Sequence, residues 1–150
     1  MFHVNKKTEY ALLALGYLSG KPHEMGSITS VREIADAHNI PYSLLAKVML
    51  MLASAGLVKA VQGTKGGYIL LKSPSDITVA DAVTLFEGRM AIAGCFDEKE
   101  ISCPQWSECL MKDPLFELNQ KIHRLLRETT LEDLVKKTNQ IKANDSETPH

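Results

Sequence analysis

Cys95, Cys103 and Cys109 are the three cysteines of this 150-residue chain, and they fall in one fifteen-residue stretch that also holds Pro104 and several acidic residues. Three thiolates from one loop suit a soft metal or an iron-sulfur cluster. Such a set leaves one coordination position for a different, more labile ligand. An incomplete thiolate set is the chemistry of a sensor. The spacing C-x7-C-x5-C contains no cysteine pair two to four residues apart, the usual mark of a structural zinc site. Three cysteines make no complete disulfide framework, and Met1 to Gly20 show no secretory signal, so the chain reads as cytoplasmic, in a reducing compartment. Redox-active or inert thiols, and zinc, stay open as alternatives.

The net charge of -1 conceals an asymmetry. Residues 1–72 hold eight Lys and Arg against four Asp and Glu, whereas residues 73–150 hold nine against fourteen. A basic first half favours a phosphate backbone as its partner. No apolar run approaches the ~20 residues of a membrane span, so no membrane partner is expected. A glycine-rich nucleotide loop and a nucleophile-base pair are both missing, which argues against an enzyme or a small-molecule substrate.

The elements that position the cysteines follow from periodicity. Ala11, Leu12, Leu15 and Leu18 predict a first helix beginning near Asn5. Pro22 and Gly26 mark a connection. Ser30 and Glu33 have the spacing of a capping box for a short second helix. Pro41 at a first helical position predicts a third helix to about Ala55, with Leu45, Val48, Met49 and Leu52 inward and Gly56 as a left-handed stop. Val58–Val61 and Tyr68–Leu71 predict a hairpin around Gln62 to Gly67. Three helices and a hairpin are the order of a winged helix-turn-helix, here residues 1–72. The fold class expected is mainly α with a small β-hairpin wing and a long dimerisation helix.

The second helix of such a motif enters the major groove, which nominates Tyr42, Ser43, Ala46 and Lys47 as contacts to double-stranded DNA. One basic residue there is few, so the wing should share the recognition through Lys59, Gln62, Thr64 and Lys65. Glycines 63, 66 and 67 would let the wing backbone approach the sugar-phosphate surface.

Thr78 and Asp81 predict a capped connecting helix within 73–93, ending near Gly88. The cysteine loop, 94–112, follows. Asp113-Pro114 reads as an N-cap and first-turn proline for a helix whose Leu115, Leu118, Ile122, Leu125 and Thr129 repeat at three and four residues. That seam predicts a homodimer, since a winged helix generally reads two half-sites. Thr130 and Asp133 predict a short terminal helix within 113–138, and 139–150 reads as a disordered tail.

Tyr10-Ala11-Leu12, Ile34-Ala35, Ala55-Gly56-Leu57-Val58, Gly66-Gly67-Tyr68 and the three cysteines together resemble one family of bacterial winged-helix regulators. It includes the iron-sulfur assembly regulator IscR, the nitric oxide sensor NsrR and the rhizobial iron regulator RirA. The cysteine spacing looks most like the iron-responsive branch. The resemblance implies a homodimeric transcription regulator that binds an operator palindrome and senses iron, redox or nitric oxide status through an iron-sulfur cluster. A 4Fe-4S form is favoured over 2Fe-2S. It places Cys95, Cys103 and Cys109 as cluster ligands. Lys112 stands where the assembly branch has a histidine ligand, and a protonated lysine does not ligate iron. Glu9 of the partner subunit matches an aspartate ligand of the nitric oxide branch and is the candidate fourth ligand. His123 is expected at a surface or interface. Alternatives are a cluster-free, thiol-sensing regulator and a zinc-stabilised protein-interaction adaptor.

Overall fold

The computed structural model describes residues 3–21, 28–96 and 103–146. Its elements are α1 (Lys6–Ser19), α2 (Val31–His38), α3 (Tyr42–Ser54), β1 (Val58–Val61), β2 (Gly67–Leu70), α4 (Val79–Glu87), α5 (Lys112–Glu128) and α6 (Leu131–Ser146). Short 3-10 turns lie at Pro74–Asp76 and Gly94–Phe96. The expected class, mainly α with one antiparallel hairpin, is what the chain adopts. The connection around Pro22 and Gly26 lies outside the described residues.

α1 starts at Lys6, as the periodicity predicts, and Asn5 caps it, its Oδ1 accepting from Thr8 N at 2.9 Å. Its buried face is Ala11, Ala14, Leu15 and Leu18. Leu12, expected inward, lies half-buried at the edge of that face, and Ala14 takes its place. Ser30 Oγ accepts from Glu33 N at 3.1 Å, while the Glu33 carboxylate accepts from Lys21 Nζ at 3.1 Å and so ties α2 back to the end of α1. Pro41 is the N-cap residue of α3 rather than its first helical position: its ψ of 123° is extended, and helical geometry begins at Tyr42. Leu45, Val48, Met49 and Leu52 are all 0% exposed, and together they form the centre of the core. Gly56 ends α3 at φ 77°, a conformation that costs other residues a Cβ clash.

The wing pairs Val58 with Leu70, Lys59 with Ile69, Ala60 with Tyr68 and Val61 with Gly67. It is seated on the helices by a third pairing, because Tyr68 N donates to Thr29 O at 2.8 Å and Thr29 N donates to Tyr68 O at 3.1 Å. Gly67 also serves the domain itself: a Cβ there would stand 2.3 Å from the Thr29 carbonyl oxygen, so that glycine is needed for the wing to close on the helices.

The capping box of α4 is complete, with Asp81 N donating to Thr78 Oγ1 at 3.2 Å and Thr78 N donating to Asp81 Oδ2 at 2.8 Å. α5 begins at Lys112 with Met111 as N-cap, so Asp113 is not the cap. Met111 is already close to helical geometry, and Asp113 falls in the first turn, where the helix dipole still favours it. The Thr130–Asp133 box starts α6 as expected. The helix then runs to Ser146, through positions expected to be a polar tail. No glycine or proline interrupts 131–146, and a Glu132–Lys136 pair one turn apart supports its surface. Residues 147–150 lie outside the described residues.

α4 and α6 join the same core as the winged helix. Leu131 is buried, Val135 packs beside it, and Leu131 N donates to Ile77 O at 2.8 Å while Val79 N donates to Thr129 O at 2.9 Å. Among the described residues no helix is long and apolar enough to cross a membrane.

Candidate DNA-contact surface and cysteine site

The candidate DNA contacts are carried by α3 and by the wing, and all of them but Ala46 are exposed. Tyr42, Ser43 and Lys47 project from the first turns of α3, with Ala46 half-buried between them. Lys59 is exposed on β1, and Gln62, Thr64 and Lys65 occupy the wing tip, where Gly66 N donates to Gly63 O at 3.1 Å. Between α3 and the wing lies a shallow cleft of about 430 Å³ whose lining includes Arg32, Tyr42, Ala46 and Leu50 on the helical side and Val61 and Gly66 on the other.

Arg32 is a member of this surface that sequence reasoning missed. It is exposed in the first turn of α2, and its guanidinium carbon sits 4.3 Å from the centroid of the Tyr42 ring. The stack holds a planar cation at the entrance to the second helix of the motif while leaving its N–H edges available. One local signal could have found it: a cation in the first turn of a helix opposes the helix dipole, and residues that break such rules tend to serve binding.

The cysteine site is built on the arm after α4 and the turns before α5. Gly88, at φ 73°, ends α4 and releases the chain. Cys95 sits in the Gly94–Phe96 turn, which Phe96 anchors by packing on Phe116 of α5, ring centroids 5.8 Å apart. Cys103 O accepts from Trp106 N at 3.1 Å, and Cys109 O accepts from Lys112 N at 3.5 Å at the entrance to α5. Lys112 Nζ lies 4.6 Å from the Trp106 ring centroid. All three thiols are unpaired and half-buried. Cys103 Sγ has Gln105 Oε1 at 3.5 Å, a weak contact.

These donors suit a soft metal by chemistry: free thiols, close in sequence and within reach of solvent. Within one protomer they do not converge, since among the described residues no three Cys, His, Asp or Glu side chains gather around one point. Residues 97–102, between Cys95 and Cys103, lie outside the described residues. Glu9 stands in the first turn of α1, partly exposed, with Lys6 Nζ at 2.7 Å. That hydrogen bond, then the charge, holds the Lys6 ammonium above its ordinary range. The same end of α1 is fixed to the end of α4, because Glu87 Oε1 accepts from Asn5 N at 2.6 Å and from Thr8 Oγ1 at 2.8 Å.

The seam of α5 is only partly covered. Leu118 and Leu125 are 47% and 63% exposed, and Leu115 and Ile122 are half-buried. His123, by contrast, has a firm partner, with Nε2 2.6 Å from Met90 O.

A family model described as Rrf2, iron-dependent transcriptional regulator, matches residues 4–137. The chain is 31% identical over 136 residues to the HTH-type transcriptional regulator NsrR of Halalkalibacterium halodurans, a match covering 91% of this chain and 92% of that one. CymR (YrzC), the global cysteine regulator of B. subtilis, superposes with a TM-score of 0.72 at 29% identity, covering 91% of this chain and 98% of that one. IscR of T. potens gives 0.69 at 26% identity, covering 99% and 93%. The likeness thus extends along nearly the whole length, and the chain belongs to the Rrf2 family of transcriptional regulators.

Proposed function

We propose that this regulator works as a homodimer that binds an operator in double-stranded DNA and reports iron, redox or nitric oxide status through an iron-sulfur cluster held by Cys95, Cys103 and Cys109. The observation that carries the reading is three unpaired, half-buried thiols between α4 and α5, attached to a winged helix with an exposed α3 surface. Members of the family regulate transcription and are not enzymes. When bound, the cluster would supply a redox-sensitive and iron-sensitive centre. Glu9 of the partner subunit is the candidate fourth ligand, and a carboxylate there would make that position labile. The uncovered Leu118 and Leu125 support a partner helix on α5. A coupling of ~1 to 3 kcal/mol between loop and DNA surface would suffice to shift operator occupancy several-fold or more.

The test is to purify the protein without oxygen, measure molar mass, iron and acid-labile sulfide, and then compare operator affinity before and after removing iron with a chelator. A dimer containing iron and sulfide, with affinity changing about fivefold or more, is the expected result. A monomer, or protein without iron and sulfide when expressed in ample iron, would sink the reading. A second reading, cluster-free thiol sensing, is favoured by the structural likeness to CymR, a cysteine regulator. It predicts operator binding by iron-free protein that responds to oxidants.

The DNA surface makes its own prediction. Arg32→Ala should weaken operator binding about tenfold, as removal of a charge-assisted phosphate contact does, and should lower the slope of log affinity against log salt by about one. Unchanged affinity and slope would confine Arg32 to packing on Tyr42.

A further inference from the structure

Between the end of α4 and Cys95 the chain runs across α5, and α5 meets it with polar side chains. Asn119 Oδ1 accepts from Ile92 N at 3.1 Å, and His123 Nε2 donates to Met90 O at 2.6 Å. Four residues apart, these two side chains hold alternate residues of one arm. Phe116 packs on Phe96, immediately after Cys95. Asn119 is 9% exposed, the most buried residue of α5.

An asparagine is a costly choice for that position. It is a poor helix former, and burying its amide is unfavourable unless the amide is paired. An apolar side chain would fill the space with less penalty but could not hold a backbone N–H. What Asn119 provides is a fixed location for Ile92. At 100° per residue, Phe116, Asn119 and His123 form one stripe of α5, and Leu115, Leu118, Ile122 and Leu125 form another roughly 110° away around the helix. One helix therefore carries the cysteine arm on one face and the uncovered apolar seam on the next.

We propose that Asn119 and His123 are positioning residues, a latch that sets where Cys95 stands on α5 and passes its displacement to the seam-bearing helix. The proposal rests on reading Cys95 as a sensing thiol. Neither side chain is assigned as a ligand.

The experiment uses full-length, reduced, metal-free protein. Alkylation rates of Cys95 and Cys109 by iodoacetamide are followed by peptide mass spectrometry in wild type, Asn119→Ala and Asn119→Asp. Asn119→Ala should speed Cys95 about fivefold, the effect of losing one hydrogen bond of ordinary strength, and leave Cys109 unchanged. Asn119→Asp, which retains an acceptor for Ile92 N, should restore the wild-type rate. Equal acceleration at both cysteines, or none at either, overturns the latch. Should Asn119→Ala melt early, His123→Ala, at a half-buried position, makes the same comparison with release at Met90.

Iron and sulfide in parallel oxygen-free preparations separate the two ideas. A wild type without a cluster defeats the sensing role but leaves the alkylation result to judge the latch. In a wild type with a cluster, Asn119→Ala should lose iron to a chelator several-fold faster than wild type. An unchanged rate overturns the latch alone.

Discussion

Cys103→Ala is expected to strip iron and sulfide from protein prepared without oxygen and to leave the metal-free fold as it was. The thiol of Cys103 is half-buried and has only the weak 3.5 Å contact to Gln105 Oε1, so it contributes nothing to the core. Truncating it belongs with surface substitutions, typically within about 0.5 kcal/mol. Metal affinity is another matter. Changing a residue that merely orients a ligand already costs about 10-fold to 100-fold, and removal of a direct thiolate should exceed that. Visible absorption and the iron and sulfide assays should therefore fall to background while the melting temperature of the metal-free form stays within about 2 °C of wild type. Retention of the full iron content would exclude Cys103 as a ligand. Loss of zinc from a colourless wild type would support a structural zinc site instead.

Gly67→Ala should destabilise the whole winged helix. The added Cβ would lie 2.3 Å from Thr29 O, 2.6 Å from Thr29 C and 2.9 Å from Ser30 N, all backbone atoms that cannot rotate away. To relieve the clash the wing must lift, which breaks the reciprocal Thr29–Tyr68 hydrogen bonds and opens the core at Tyr68. Overpacking of this kind costs about 1 to 3 kcal/mol, and the rigid neighbours place Gly67 at the upper end. The melting temperature should drop by about 6 to 12 °C, with operator affinity falling as well because the wing leaves its seat beside α3. Gly66→Ala is the control. Its Cβ would meet Val61 O at 3.2 Å, a contact a few tenths of an ångström of movement relieves, so its melting temperature should stay near wild type. Equal melting of the two variants would show that the wing does not depend on close approach at Gly67.

Several elements were legible because their signals are local. The alternation of Leu45, Val48, Met49 and Leu52 identified the inner face of α3, and Thr78–Asp81 and Thr130–Asp133 identified two helix starts from side-chain-to-backbone bonds three residues apart. Where a local rule had competitors it misplaced the feature. Asp113-Pro114 has the look of a helix start, yet the chain turns helical at Lys112 because Met111 already has suitable dihedrals. The polar composition of 139–150 suggests disorder, whereas a helix capped at Thr130 and anchored by Leu131 extends through that stretch as far as Ser146.

The cysteine spacing, the winged-helix order and the excess of basic residues in 1–72 were all present in the linear chain, because each depends on residue types at short separations. Tertiary structure alone decided the rest. It brought Arg32 over Tyr42, Glu87 against Asn5 and Thr8, Gly67 against Thr29, and Asn119 and His123 onto the arm leading to Cys95. Each of these joins groups ten or more residues apart whose types carry no mutual periodicity, so only packing of the helices around the shared core could bring them together.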